Sequence, residues 1–179
     1  VLVDADGKVV VGTRDGLYEV DAQDQAQRLW PASGSHAISA LAIDPMRRLW
    51  LGVPGQGIAI FDRARNHTHW SRPDSMLPGR LPDANVTVLM PDRSGLLWIG
   101  THTRGLVRTD MAGAPFRHLF DPAANLESAD GNDVQALAAG ADGTLWIGQR
   151  SGLKRYLPGH NAFQYIEQVQ VVDANGSHS

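Results

Sequence analysis

The stretch Leu97-Trp98-Ile99-Gly100-Thr101 decides the fold, because the chain repeats it. Leu145-Trp146-Ile147-Gly148-Gln149 follows it, Leu49-Trp50-Leu51-Gly52-Val53 precedes it, and Val9-Val10-Val11-Gly12-Thr13 is a version without the Trp. The glycines Gly12, Gly52, Gly100 and Gly148 stand 40, 48 and 48 residues apart. Shortly beyond each comes a second glycine and an aliphatic residue: Gly16-Leu17, Gly57-Ile58, Gly105-Leu106, Gly152-Leu153. Each period therefore holds an apolar strand centred on Trp, a short turn, and a second strand that starts at Gly. Self-similarity at this period is the mark of a repeat architecture.

Outward from that stretch the units fill in. The third reads Val86 to Met90, the turn Asp92-Arg93-Ser94-Gly95, Leu97 to Thr101, Gly105 to Thr109 and Phe116 to Phe120. The second offers Ile38 to Ile43, the turn Asp44-Pro45-Met46-Arg47, Leu49 to Val53, Ile58 to Phe61 and His67 to Trp70. The first runs Val1 to Val3, Asp4-Ala5-Asp6-Gly7, Val9 to Thr13, Leu17 to Val20 and Gln27 to Trp30. The fourth runs Val134 to Ala138, Asp142-Gly143, Leu145 to Gln149, Gly152 to Tyr156 and Phe163 to Ile166. Long loops occupy 72–84 and 121–133, and no segment carries a helical period of useful length. Four short strands per unit at this spacing predict an all-β fold, a β-propeller of about four blades of four antiparallel strands. The blades fall at about 1–36, 37–84, 85–133 and 134–168, and 169–179 reads as the start of a fifth. The whole reads as a fragment of a larger propeller. An unclosed array exposes its terminal blade faces, so self-association is expected.

A blade packs both faces against neighbours, so its interior strands are apolar on both sides. In Leu-Trp-Ile the two aliphatic residues point to one face and the Trp to the other. The indole N–H needs an acceptor, expected to be a carbonyl of the adjoining blade. The Gly after Ile predicts a close backbone approach or a bulge. Val10 in place of Trp predicts that the first blade packs less completely or against a different neighbour. Asp4, Asp44 and Asp92 recur at one position and read as turn caps. Arg47 stands where the other units have Gly, and Gly140 where they have Asp.

Composition narrows the function. In 179 residues, 42% hydrophobic and 20% charged, there is enough apolar material for a packed core. A net charge of −3 supplies no basic field, so nucleic acid and polybasic membrane contact are not expected. The absence of Cys excludes disulfides and thiolate metal sites. No apolar run reaches the roughly 18 residues of a membrane span.

The assembled pattern resembles the two-component regulator propeller repeats. Asp92-Arg93-Ser94-Gly95-Leu96-Leu97-Trp98-Ile99-Gly100-Thr101, followed by Gly105-Leu106, carries the resemblance best, and Asp142 to Leu153 repeats it. Val10, Arg47 and Gly140 are the departures. The resemblance implies a binding and interaction module in the extracytoplasmic, periplasmic-face sensor region of a bacterial transmembrane signalling protein. In such proteins a membrane segment and a histidine kinase or diguanylate cyclase output typically follow. It implies no enzymatic step in this chain.

The search for chemistry is short. His67 and His69 share a face of an outer strand, where solvated polar residues are ordinary, and no Gly-x-Ser-x-Gly elbow, P-loop or dinucleotide fingerprint occurs. No catalytic residue, metal ligand or cofactor is assigned. Turns between second and third strands, together with the blade connections, emerge on one face around the channel. Candidate ligand contacts there are Arg14, Asp15, Gln56, His102, Arg104 and Arg150. The arginines suit a carboxylate, a sulfate or an acidic sugar. The expected partner is a small molecule or glycan, or adjoining propeller blades. The alternative is a free-standing propeller hydrolase or lyase acting on a polysaccharide or cyclic substrate, for which His102, Asp15 and Arg150 would have to converge.

Overall fold

Every strand pairs only with its sequence neighbours, because each connection inside a unit is a short turn that folds the chain straight back. A computed structural model describes residues 1–112, 115–119, 121 and 132–166. The first sheet contains β1 (Leu2–Val3), β2 (Val9–Gly12), β3 (Leu17–Val20) and β4 (Ala26–Trp30). The second contains β5 (Ala40–Ile43), β6 (Leu49–Val53), β7 (Gly57–Asp62) and β8 (His67–Ser71). β9 (Val86–Pro91), β10 (Leu96–Thr101), β11 (Leu106–Asp110) and β12 (Arg117–Leu119) make the third. β13 (Val134–Ala139), β14 (Leu145–Gln149), β15 (Gly152–Leu157) and β16 (Ala162–Ile166) make the fourth. All four are antiparallel meanders in simple sequence order, as expected for propeller blades. The fifth unit expected at 169–179, and Phe120 of the expected outer strand, lie outside the described residues. No helix among the described residues is long and apolar enough to cross a membrane.

Three apolar clusters join the sheets in a row. Leu49, Leu51 and Val53 of β6 meet Val10 and Leu17 of the first sheet. On the opposite face of β6, Trp50 packs with Leu97 and Ile99 of the third sheet. Trp98 in turn packs with Leu145 and Ile147 of the fourth. The period-2 alternation thus sends each Trp into the aliphatic pair of the next sheet. Trp146, whose ring points onward from the fourth sheet, is only half-buried.

The indole N–H finds its acceptor inside its own blade, which corrects the expectation of a neighbouring carbonyl. Trp98 Nε1 donates to Asp92 Oδ2 at 2.8 Å, and Trp50 Nε1 donates to Asp44 Oδ2 at 3.1 Å. The other carboxylate oxygen caps the turn: Asp92 Oδ1 accepts the N–H groups of Ser94 and Leu96 at 2.8 and 3.1 Å. Antiparallel pairing places residue 98 beside Met90, so Asp92, two residues beyond Met90, lies within reach of the ring. Burial pushes the Asp92 carboxyl up, but the bonds from Ser94, Trp98 and the turn N–H groups outweigh it and hold the carboxyl below its usual range.

The departures each have a local answer. Asp4, with no Trp to serve, accepts from Arg63 of the second sheet at 2.9 Å, which holds its carboxyl low and ties two blades together. Val10 is fully buried, against the expectation of looser packing, because Trp30 fills the same cluster and its Nε1 donates to Thr68 Oγ1 of the second sheet. Where Gly140 removes the acid, Asp142 caps the turn through the Thr144 N–H and hydroxyl. Arg47 adopts the left-handed φ of 64° that its glycine counterparts Gly7, Gly95 and Gly143 hold at 78, 87 and 81°. The motif glycine is needed for proximity: a Cβ on Gly100 would sit 2.5 Å from Val88 and from Val134 of the next blade.

Two substitutions test this account. Trp98→Ala should lower stability by about 3–5 kcal/mol in chemical denaturation, since it empties the junction of the third and fourth sheets. Asp92→Asn should cost about 1–3 kcal/mol at pH 7, because an amide NH₂ then faces the indole N–H. A carboxyl with a lowered folded pKa stabilises above its unfolded value of about 3.9 and loses that contribution as pH falls through the folded value. The gap between wild type and Asp92→Asn should therefore narrow below about pH 4 in urea midpoints.

Candidate functional site

The face formed by the turns after β2, β6, β10 and β14 is built by hydrogen bonds between those turns and the segments entering each blade. Gly57 N–H donates to Ala84 C=O at 3.1 Å, Gly105 N–H to Asn132 C=O at 3.0 Å, and His102 N–H to Asn85 C=O at 3.0 Å. The second-to-third-strand turns and the blade connections thus share one face, as expected. Deeper along the channel, hydroxyls latch one inner strand to the next: Ser39 Oγ donates to Val86 C=O at 2.5 Å, and Thr87 Oγ1 donates to Val134 C=O. Ser39, Thr87 and Gln135 occupy equivalent places, so the fourth blade carries an amide where the second and third carry a hydroxyl. Gln135 turns that amide onto Asp133 Oδ1 at 2.5 Å.

Asp133 organises the junction of the third and fourth blades. Its side chain is 1% exposed, with His102 Nδ1 3.1 Å from Oδ1 and Arg150 Nε 3.4 Å from Oδ2. Two of the residues singled out from the sequence, on different blades, are therefore brought together by a third that sequence reasoning passed over. Asp133 sits at the end of a polar loop, and only its place directly before the inner strand hints at this role. Asp83, before β9, does a related job by accepting from Thr103 N–H at 2.7 Å, Thr103 Oγ1 at 2.8 Å and Asn85 N–H at 2.9 Å. Thr101 Oγ1, in the motif itself, donates to Gly105 C=O at 2.8 Å and fixes the turn that presents His102 and Arg104.

The other candidates are dispersed. Gln56 Nε2 lies 3.0 Å from His36 Nδ1, beside a stack of Trp30 on His36 with ring centroids 5.3 Å apart. Asp15 accepts from Thr13 Oγ1 at 2.6 Å, Tyr18 Oη at 2.9 Å and Arg28 Nη2 at 2.9 Å. The Thr13 and Tyr18 bonds hold its carboxyl below the usual range, so it stays ionised and engaged in the first blade. It is thus not a proton donor near neutral pH, and the convergence of His102, Asp15 and Arg150 that hydrolytic chemistry would need is not seen. Arg14 and Arg104 are exposed, and His118 Nε2 meets the Arg104 carbonyl at 2.5 Å, steadying that turn. The aspartates of this face serve internal turns, while the guanidinium groups of Arg14 and Arg104 point to solvent. Such a face favours an anionic or strongly hydrogen-bonding visitor. Among the described residues no group of three His, Asp or Glu side chains is placed to hold a metal ion.

Asp133→Ala should lower stability by about 1–3 kcal/mol, because Gln135 and the Arg150 contact lose a buried acceptor. Hydrogen exchange in the 101–105 turn should quicken in the same variant, and unchanged exchange there would show that Asp133 does not anchor His102.

Residues 80–103 match the family described as Two component regulator propeller. A comparison with curated proteins finds no match. Among solved structures the chain is similar to the extracellular domain of the hybrid two component system BT3049 from B. thetaiotaomicron. Identity is 17% and the TM-score 0.76, over 99% of this chain and 26% of that one. It is also similar to the extracellular domain of the one component system BT4673 from the same organism, with 19% identity and a TM-score of 0.74 over 99% of this chain and 24% of that one. Virginiamycin B lyase from Staphylococcus aureus is a third, with 11% identity and a TM-score of 0.69 over 92% of this chain and 53% of that one. The chain thus spans about a quarter of the length of the first two. At such identities the likeness concerns the fold, a β-propeller.

Proposed function

We propose that this run of two-component regulator propeller blades belongs to the extracytoplasmic, periplasmic sensor region of a bacterial transmembrane signal-transduction protein of the two-component or cyclic-di-GMP type. The observation that carries the reading is a likeness along nearly the whole chain to the extracellular domains of a hybrid two component system and a one component system. The turn face is the proposed contact surface, with Arg14, Gln56, His102, Arg104 and Arg150 reaching toward a small molecule, a glycan or a further propeller. Asp15 contributes by holding its own turn. Binding across the His102–Asp133–Arg150 junction would favour one relative placement of the third and fourth blades, and that bias is what a downstream output reads. No chemical step is assigned to the chain.

The second reading, lyase or hydrolase chemistry, draws on the likeness to a propeller lyase and on His102 paired with buried Asp133, the arrangement of a base and its orienting acid. The acid expected to join His102 and Arg150 there, Asp15, is committed within the first blade instead.

Proteolysis of intact and permeabilised cells expressing the parent protein tests the placement: the blades should be cut once the outer barrier is opened, with the inner membrane intact. Protection until the inner membrane is breached would refute it. In a signalling reporter, Arg104→Ala combined with Arg150→Ala should reduce the response to inducer about tenfold or more, since charge-assisted contacts are lost. His102→Gln should retain most of the response if no chemistry is involved.

A further inference from the structure

A cleft of about 570 Å³ opens at the outer rim between the second and third sheets, away from the turn face. Its volume falls in the range of small-ligand sites, roughly 300–1,000 Å³. The floor is apolar: the buried edge of Trp50, with Ile60 and Phe116 at its sides. At the mouth stand Arg80 and His69, whose side chains make no hydrogen bond or ion pair among the described residues. Arg48 also lines the cleft, but its charge is already met by Asp44 at 2.6 Å. No carboxylate belongs to the described lining.

The walls are held in place by bonds between elements. Arg48 Nη2 donates to Met111 C=O of the third sheet at 2.8 Å. Phe116 N–H donates to Gly79 C=O at 3.0 Å, pinning the loop of the second sheet against the third. Gly79 has a φ of 81°, and a Cβ there would lie 3.0 Å from Pro115 Cβ, so the loop closes down as far as a glycine permits. These bonds tie the second and third sheets together along the cleft walls. A larger cavity of about 980 Å³, near the turns 92–95 and 140–144, spends its Asp92, Ser94 and Thr144 groups on their own turns and sets its Arg108 over the Trp98 ring, 5.7 Å from the centroid.

We infer that the rim cleft binds a small ring-bearing organic anion, its carboxylate or sulfate met by Arg80 and His69 and its ring face laid against Phe116 and Ile60. An apolar floor with the uncompensated Arg80 guanidinium and the His69 imidazole at the rim selects against neutral rings and against anions with no apolar face. The same chemistry is offered by an aromatic carboxylate and by a sugar acid.

Calorimetric titration of the full chain with benzoate and with glucuronate distinguishes these sources, with benzyl alcohol and glucose as neutral counterparts. At least one anion should bind at least about tenfold more tightly than its neutral counterpart. Benzoate alone identifies an aromatic acid, glucuronate alone a sugar acid, and both together the shared chemistry. Arg80→Ala should weaken binding about tenfold while leaving the denaturation midpoint unchanged, since Arg80 is exposed. Arg80→Lys should recover part of the loss. Absence of binding by both anions, or equal binding by Arg80→Ala, would overturn the inference.

Discussion

The structure depends on how a Trp side chain is made acceptable between two sheets. The space between blades is apolar, yet an indole brings an N–H that hydrocarbon cannot satisfy. Asp92 resolves this from within the same blade, with one oxygen on the Trp98 ring and the other on the turn that joins β9 to β10. The indole N–H is then satisfied before the face meets the next blade. The indole of such a unit needs no polar partner across the junction, so the motif can recur from blade to blade.

That arrangement also tolerates loss. When the Trp is missing, as at Val10, the freed Asp4 oxygen turns to Arg63 of the neighbouring sheet and Trp30 supplies the bulk. When the Asp is missing, as at Gly140, the turn is capped from two residues further on, by Asp142. Junctions are thus held by packing plus locally chosen polar contacts, such as Arg63 on Asp4 and Glu19 between the first two blades.

The turn face follows a different logic. Its aspartates are turned inward to hold backbone N–H groups, hydroxyls and neighbouring side chains, which leaves arginines as the outward-facing charge. Asp133 shows how such a face can couple blades: a single buried carboxylate touches side chains from two turns. A visitor that drew either away would alter the junction as well as the surface. The rim cleft is separate, set between the second and third sheets and walled by the loop pinned across them.

The repeat, its strands and its channel-facing turns were legible in the sequence because they rest on local rules: alternation along a strand, glycine at left-handed turns, Asp before a turn. The Trp-to-aliphatic direction of packing was legible for the same reason, since side chains alternate with period 2. Spatial partnership was not. That Trp98 bonds Asp92 depends on strand register, which aligns residues separated by the turn. That Trp30 replaces the missing Trp at Val10 depends on an outer strand folding over the same junction. Asp133 could not be picked from its loop, because its role arises only when a blade entry meets the turns of two blades. Local rules along the chain specify each unit, whereas the packing of blades selects which units' polar groups meet, because hydrogen-bond partners across blades are set by distance in space and leave no periodic trace along the chain.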